Sequence, residues 1–496
     1  MSDQYAAIDL GSNSFHMLVV RVVDDEIHVV DKIRKRVRLA AGLTAARMLE
    51  PHVRQRALKC LRNFGQRLVD IPVENVRACA TNTFRKLADG EAFTRAAETA
   101  LGYPIDIISG QEEARLVYRG VCENLESDTR RRLVVDIGGG STECIIGHGA
   151  DIIRADSLYM GCVEFSRKFF PDGHITHERI EHAVIAARLE LGSLHRPFKA
   201  IGWEVAVGSS GTINAIQDLL SQRGAHSDDI TLAGLRWLLD RAVEIGHADE
   251  LVSLGLKPER AAVITGGLCI LYGLFRSLSI EKMRASSSAL REGVIADLLG
   301  RVRDQDVRDE TVRRLQQRYA VDQRQAERVR NLVHALAGQA FPHWEMESED
   351  NRKLLEWAAL LHEIGKTVNY TGYHRHGAYL VAHTNMAGFS RTEQTQLAAL
   401  ILGQRRKLVV ERIQDLVGHQ IEPTLRLIVL FRLATRLLRT RSPRPRPHIG
   451  LRVDGNRIKL KFPLDWIKEK PLTRADLKQE AQWLSEAGFK LTWNSA

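Results

Sequence analysis

Two copies of one short pattern constrain this chain more than any other feature: Ala6-Ala7-Ile8-Asp9-Leu10-Gly11-Ser12-Asn13-Ser14 and Val134-Val135-Asp136-Ile137-Gly138-Gly139-Gly140-Ser141-Thr142-Glu143. Each reads as a buried strand that ends in Asp and runs into a turn of Gly, Ser or Asn. Turn glycines with positive φ let the backbone bend and approach a ligand, and successive N–H groups and hydroxyls then point at one anion. A phosphate suits that cradle. Asp9 and Asp136 would repel a bare phosphate, so their presence points to a divalent cation that the phosphate oxygens share. A lone Asp-x-Gly can be a mere strand-to-turn exit, but two aligned copies weigh against that. A third turn, Gly208-Ser209-Ser210-Gly211-Thr212, follows another apolar strand without the Asp. It either binds phosphate without metal or is a tight turn.

At 496 residues the chain should form three or four domains, at roughly 100 to 200 residues each. Met1 to Gln4 is polar and strand-like sequence follows at once, so no secretory signal is expected. The longest uncharged stretch, between Arg260 and Arg276, is shorter than the ~20 residues that span a bilayer and reads as a buried helix. No transmembrane segment is therefore expected. Cys60, Cys79, Cys122, Cys144, Cys162 and Cys269 are scattered without CxxC pairs, which fits reduced thiols in a cytosol.

The net charge of +10 is uneven. Residues 401–450 hold eleven Lys and Arg against three Asp and Glu, and Lys32, Arg34, Lys35, Arg36 and Arg38 form a second cluster expected just beyond the first strands. Such surfaces attract polyanions, leaving nucleic acid, anionic lipid and polyphosphate as partners, or a solvated face with none. Few aromatics accompany these arginines, which argues against nucleic acid.

Met17 to Val23 and Glu26 to Val30 read as a hairpin around Asp24-Asp25; Val53 to Leu68 reads as a helix, and Val76 to Ala80 and Ile105 to Ile108 as short strands. From about Arg132 the order starts over, predicting two similar lobes with a cleft between them. Helices dominate from about Thr311 to Thr440, where Arg426, Arg432, Arg436 and Arg439 are expected on a different side from Leu425, Ile428, Leu433 and Leu437. Arg441 to Pro447 reads as a linker, and the apolar alternation around Asp454-Gly455-Asn456 as a hairpin.

After the strand near Ile108, Ser109 and Glu112 fit a capping box. Glu113 is left over at a helix start that faces the first Gly loop. Hydrolysis of a phosphoanhydride needs an in-line water and a group to take its proton, which makes Glu113 a candidate base against the alternative of a surface glutamate. Arg85, in Thr81-Asn82-Thr83-Phe84-Arg85, is a candidate phosphate clamp, though a solvated Arg beside a helix cap is the commoner case.

Taken together, Asp9 to Met17, Ile108 to Leu116, Asp136 to Glu143 and Gly208 to Thr212 closely resemble the exopolyphosphatase / guanosine pentaphosphate phosphohydrolase family. The resemblance covers essentially the whole chain. It implies an α/β fold of two ribonuclease-H-like lobes of the actin and sugar-kinase superfamily, at 1–126 and 127–302, then a helical HD-like domain at 303–440 and a small mixed module at 441–496. It implies Glu113 as catalytic residue, Asp9, Asp136 and Glu143 as metal-site positions, and the Gly11 and Gly138 loops as phosphate turns. Gly11, Ser12, Asn13, Ser14, Arg85, Gly138, Gly139, Gly140, Ser141 and the third turn, Gly208 to Thr212, are thus the phosphate-binding candidates. Arg21 joins Arg85 as an anion contact by the same resemblance. Where relatives usually have Ser-Asp-Gly-Ala-Leu-Arg-Glu-Gly, this chain has Ser286-Ser287-Ser288-Ala289-Leu290-Arg291-Glu292-Gly293; the lost Asp and Gly put in doubt an acidic role for that loop, but not for the first two.

The helical part resembles an HD-type phosphohydrolase at Leu361-His362-Glu363-Ile364-Gly365, with Glu in place of Asp; His374, His376 and His383 settle no ligand set, and a degenerate domain is expected. His374-Arg375-His376-Gly377-Ala378-Tyr379 looks like the long-chain exopolyphosphatase branch. The reading is accordingly a cytoplasmic homodimer, with peripheral attachment to the inner membrane face left open. Using Mg2+ or Mn2+, with K+ as an accessory ion, it would release orthophosphate from polyphosphate processively. Arg405, Arg406 and Lys407 are candidate anion contacts on a track for the chain. Alternatives are conversion of guanosine pentaphosphate to the tetraphosphate at the same site, an ATPase or kinase, and a non-catalytic phosphate sensor.

Overall fold

The strand that ends in Asp9 is buried at Ala6, Ala7, Ile8 and Leu10, as a central strand covered on both faces must be. In the computed structural model, which describes residues 4–23, 26–123, 130–222, 229–302, 306–442, 448–463 and 466–495, this strand belongs to a unit spanning residues 1–306; a second unit spans 307–496.

The first unit contains one topology twice. Its first sheet comprises β1 (Gln4–Leu10), β2 (Ser14–Val23), β3 (Glu26–Arg36), β4 (Val76–Ala80) and β5 (Ile105–Ile107), in the order β3-β2-β1-β4-β5. Its second comprises β6 (Arg131–Ile137), β7 (Thr142–His148), β8 (Asp151–Leu158), β9 (Val205–Ser209), β10 (Ile230–Thr231) and β11 (Lys282–Ala285), in the order β8-β7-β6-β9-β11-β10. In each, an antiparallel meander of three strands is followed by a parallel neighbour, β1 beside β4 and β6 beside β9. Asp9 and Asp136 therefore occupy equivalent places.

The hairpin of β2 and β3 forms as expected, while the Asp24-Asp25 turn lies outside the described residues. The basic cluster is corrected: Lys32, Arg34, Lys35 and Arg36 lie within β3, not beyond the strands, and charge suits this edge strand. The apolar stretch is also longer than its uncharged part. The helix Pro258–Leu278 has 21 residues, enough to cross a membrane by length and composition, but it is a core helix, with 78% of its most apolar window buried.

Two helices join the halves of the unit. Gly110–Glu123 and Leu290–Val302 cross so closely that a Cβ on Gly120 would stand 2.1 Å from the Ala289 carbonyl oxygen, and one on Gly293 would stand 1.8 Å from that of Leu116. Both helices share a core with residues of both sheets, including Ala7, Leu18, Val134 and Ile145. Beside the crossing lies a buried ion network. Asp297 accepts from Arg77 at 2.6 Å and from Arg115 at 2.7 Å, and Glu112 accepts from Arg115 at 2.8 Å. The capping box is thus only half made: the Glu112 N–H donates to Ser109 Oγ at 3.1 Å, but its carboxylate serves the arginines.

Burial raises the Asp297 pKa, yet Arg115, Arg77 and Arg301 outweigh it and hold this carboxyl well below the usual range. A depressed folded pKa contributes stability above the unfolded value of ~3.9 that is lost as pH falls toward the folded one. Asp297→Asn leaves buried guanidinium groups short of a partner, so it should cost about 3–5 kcal/mol in denaturant unfolding of the full chain and flatten the loss of stability below about pH 4.

The second unit packs the helices Gln323–Trp344, Glu349–Leu361, Tyr373–His383, Arg391–Gly403 and Ile421–Leu437 around one core. The stretch expected as a separate module contributes Leu451, Leu460 and Leu484 to that same core. It forms a sheet in the order β12 (Gly450–Asp454), β13 (Arg457–Phe462), β14 (Lys490–Ser495), with the helix Pro471–Glu486 before β14. Of the expected linker, Pro443 to Pro447 lies outside the described residues. Arg432 departs from the expected polar side: it is fully buried, paired with Glu480 at 2.5 Å and donating to the carbonyls of Gly403 and Arg406. A buried carboxylate and backbone acceptors replace the water it gives up.

Candidate active site

The two Asp-Gly loops meet in one cavity of about 320 Å³ whose wall includes Asp9, Gly11 to Ser14, Glu113, Asp136 and Gly138 to Ser141. Positive φ is not the reason for these glycines, since Gly11, Gly138, Gly139 and Gly140 all avoid the left-handed region. Crowding is. A Cβ on Gly139 would lie 3.2 Å from Ser12 Cβ, and one on Gly140 would lie 3.1 Å from Asn82 Nδ2. Asn82 donates to the Gly140 carbonyl at 2.6 Å and Thr83 to Ser12 Oγ at 2.9 Å, which ties the loops together. Ser14 Oγ is buried, on the cavity wall, and has no partner among the described residues, as suits a hydroxyl reserved for a ligand.

Glu113 sits in the first turn of Gly110–Glu123, where an acidic group is favoured by the helix dipole, with its side chain 12% exposed. Arg85 donates to it at 3.3 Å and to the Ile108 carbonyl at 2.6 Å. Arg85 therefore holds the carboxylate and is not on the cavity wall. Burial raises the Glu113 pKa despite Arg85.

Burial likewise pushes Asp9 up to about 7, with Arg291 opposing and Glu113 and Asp136 adding to the rise; Asp136 is pushed up to about 7 by burial and then by Glu113. Glu143 lies opposite Asp136 in the β6–β7 register, where β2 has His16 opposite Asp9. It is raised well above its usual value by burial, Glu113 and Asp136, and accepts from Ser157 at 2.9 Å behind the wall. Among the described residues no three His, Cys, Asp or Glu side chains form a ready metal cage. Mg2+ needs none, because it commonly takes one or two carboxylates with water and substrate phosphates. A buried Asp136 and a partly buried Asp9 that face a phosphate cradle fit that mode.

The third turn divides. Ser210, Gly211 and Thr212 reach the cavity, whereas Gly208 is a packing glycine whose Cβ would lie 2.5 Å from Ile213 Cγ2, and Ser209 donates to the Ser288 carbonyl at 2.9 Å. The positive φ of 93° falls on Ser210, not on a glycine. Ser287 lines the cavity, and Ser286 Oγ accepts from the Ser288 N–H at 3.2 Å, so hydrogen bonding shapes the loop that lacks the Asp.

Lys32, Arg34, Arg260 and Arg291 complete the wall, and none of these four was singled out as a site residue, although Lys32 and Arg34 belong to the basic cluster noted in the sequence. Burial lowers the pKa of Arg34, and Arg260, Arg36 and Arg291 lower it further; burial lowers Arg260 too, against Cys162. Gly211 gives them room, since its Cβ would stand 2.6 Å from Arg260 Nη2. Cations crowded in this way favour an anion between them. The alternation of β3, with Lys32 and Arg34 on one side, was the available signal. His16, also on the wall, is held neutral by burial and by Arg291 and Arg34.

Arg21 is not brought here: it is exposed near the far end of β2, opposite Gln4. Arg405, Arg406 and Lys407 belong to the second unit, where Arg405 lies 4.8 Å over the Tyr373 ring and Lys407 pairs with Glu486 at 2.9 Å. The HD-like doublet is occupied by its own neighbours. His362 Nδ1 is 2.7 Å from the Ala359 carbonyl, Glu363 binds Lys366 and Arg441, and His383 is exposed.

Residues 18–302 match the model of the Ppx/GppA phosphatase family, and residues 307–481 match that of Ppx/GppA phosphatase, domain III. A guanosine-5'-triphosphate,3'-diphosphate pyrophosphatase from Aeromonas hydrophila is 38% identical over 488 residues, 98% of each chain. An exopolyphosphatase structure from Cytophaga hutchinsonii superposes with a TM-score of 0.54 at 22% identity, over 60% of this chain and 97% of the other. The Aquifex aeolicus PPX-GPPA enzyme does so with a TM-score of 0.51 at 24% identity, over 59% and 98%. These two establish the fold, which is of the actin and sugar-kinase type.

Proposed function

We propose, from the premise that this chain belongs to the Ppx/GppA phosphatase family and is a hydrolase of phosphoanhydride bonds, that its substrate is guanosine pentaphosphate. Water attacks the terminal phosphorus of the 5'-triphosphate, the β–γ phosphoanhydride breaks, and orthophosphate and guanosine tetraphosphate leave. The observation that carries this reading is the convergence of both Asp-Gly loops, Glu113 and the cations Arg34, Arg260 and Arg291 on one cavity. Glu113, with its raised pKa, takes the proton of the attacking water. The loop N–H groups and Ser14 hold the terminal phosphate, and the arginines hold the phosphates behind it. Asp9 and Asp136 would hold a divalent cation, Mg2+ or Mn2+, which when bound neutralises charge on the phosphate oxygens.

The choice of nucleotide over polyphosphate reverses the ranking drawn from sequence, and it follows the relative of 38% identity. The stretch His374 to Tyr379 had pointed the other way; in the structure His374, Gly377 and Ala378 of it are buried in packing, while Arg375 and Tyr379 are exposed. A Cβ on Gly377 would lie 3.0 Å from Ile401 Cγ2 and 3.1 Å from Ile364 Cγ2. Release of orthophosphate from inorganic polyphosphate is the second reading, supported by a cavity wall rich in groups that recognise phosphate and not base. The test is Mg2+-dependent orthophosphate release from both substrates in parallel. We expect kcat/KM at least ten-fold higher on guanosine pentaphosphate; equal or higher values on long-chain polyphosphate would overturn the choice, and ADP formation from ATP would point to an ATPase.

A further inference from the structure

A second polar cavity lies elsewhere, lined wholly by residues of the second unit. It measures about 510 Å³, the size of site that takes a nucleotide-sized ligand. Six cationic side chains line it against two carboxylates, and those two are already matched: Glu363 by Lys366 at 2.6 Å and by Arg441, Asp476 by Arg439 at 2.6 Å. Arg405 and Arg406 have no carboxylate within 4.0 Å among the described residues. Their charge is felt nearby, since His374 is lowered to about 4 by burial and then by Arg405, Arg375 and Arg406.

A second observation is independent of charge. Gln404 is buried on the cavity wall, and its Nε2 donates to the carbonyls of His362 at 2.8 Å and Ile401 at 3.0 Å. Those two bonds fix which end of the amide is which. Oε1 is left with no partner among the described residues, an acceptor that an N–H or O–H donor of a ligand would satisfy. Well above the last phosphate pKa a phosphate chain is fully ionised and has no donor to offer, whereas a purine base keeps its N–H groups. Aromatic faces are at hand, with Tyr370 70% exposed on the same wall and its ring 6.2 Å from that of Tyr373.

We propose that this cavity is a second binding site, for a purine nucleotide that bears a chain of phosphates. Arg405 and Arg406 take the phosphates, Gln404 Oε1 accepts an N–H from the base, and Tyr370 offers it a ring to stack on. The site stands whether or not the first unit hydrolyses a nucleotide, because none of its residues belongs to that unit.

The test is photolabelling of the full chain with 8-azidoguanosine 5'-triphosphate, followed by peptide mapping. We expect label on peptides containing Tyr370 to Tyr373 or Trp483, suppressed by excess GTP and at least ten-fold less sensitive to inorganic tripolyphosphate. Arg405→Gln/Arg406→Gln, with an unchanged thermal midpoint, should lower that label ten-fold or more. Absence of label from those peptides in the wild type overturns the site, independently of how the variant folds. Equal competition by tripolyphosphate overturns the nucleotide assignment, since a site that reads only phosphates would give it.

Discussion

Glu113→Gln should lower kcat on guanosine pentaphosphate by about 10²- to 10⁴-fold, the usual worth of a positioned general base, with KM changed little. The amide has the same shape and can still accept from Arg85, which keeps its hydrogen bond to the Ile108 carbonyl. What it cannot do is take a proton. Because burial raises the Glu113 pKa, the wild-type carboxylate is in its basic form only at higher pH than an ordinary glutamate. The acid limb of the wild-type kcat profile should therefore lie above the usual glutamate range, and whatever limb remains in the residual activity of Glu113→Gln should be that of Asp9 and Asp136. A variant with full turnover would remove Glu113 from the reaction, whichever substrate is used.

The duplicated loops were legible because their information is local: an apolar run, an Asp and small residues within about ten positions predict the strand, the turn and the repeat of β1 in β6. Glu113 was legible for the same reason, as the acidic residue left over at a helix start. The cation wall was much less so. Arg34 arrives from an edge strand, Arg260 from the start of a core helix and Arg291 from the crossing helix, and no spacing in the chain brings them together. Conformation was misjudged where two physical demands share one residue type. Glycine was assigned to positive φ in the loops, but close approach of the loops to each other requires it there, and the one strained φ fell on Ser210. Arg432 was misplaced because helical periodicity cannot foresee a buried Glu480 arriving from 48 residues downstream. Substrate identity was least legible, since the stretch that suggested it lies in the second unit and none of its residues is on the wall of the cavity that holds Glu113.

Asp136→Asn should abolish Mg2+-dependent turnover, with a fall of 10²-fold or more, and yet melt at a higher temperature than the wild type in chelator. Both effects have one cause. Asp136 is buried and Asp9 partly so, and both are raised to about 7 by desolvation and by the other acids around them. Such crowding costs stability in the fold without a cation and is held in place for the sake of the ligand. A neutral amide at 136 relieves the repulsion on Asp9 and Glu113 and removes half of the carboxylate pair that would hold the ion. Mg2+ binds the folded chain and not the unfolded one, so it should raise the wild-type melting temperature with the logarithm of its concentration once that exceeds the dissociation constant. The Asn variant should show little or no such rise. A wild type indifferent to Mg2+ in both melting and turnover would mean that the aspartates do not hold a cation, and that their burial serves the phosphate loops in some other way.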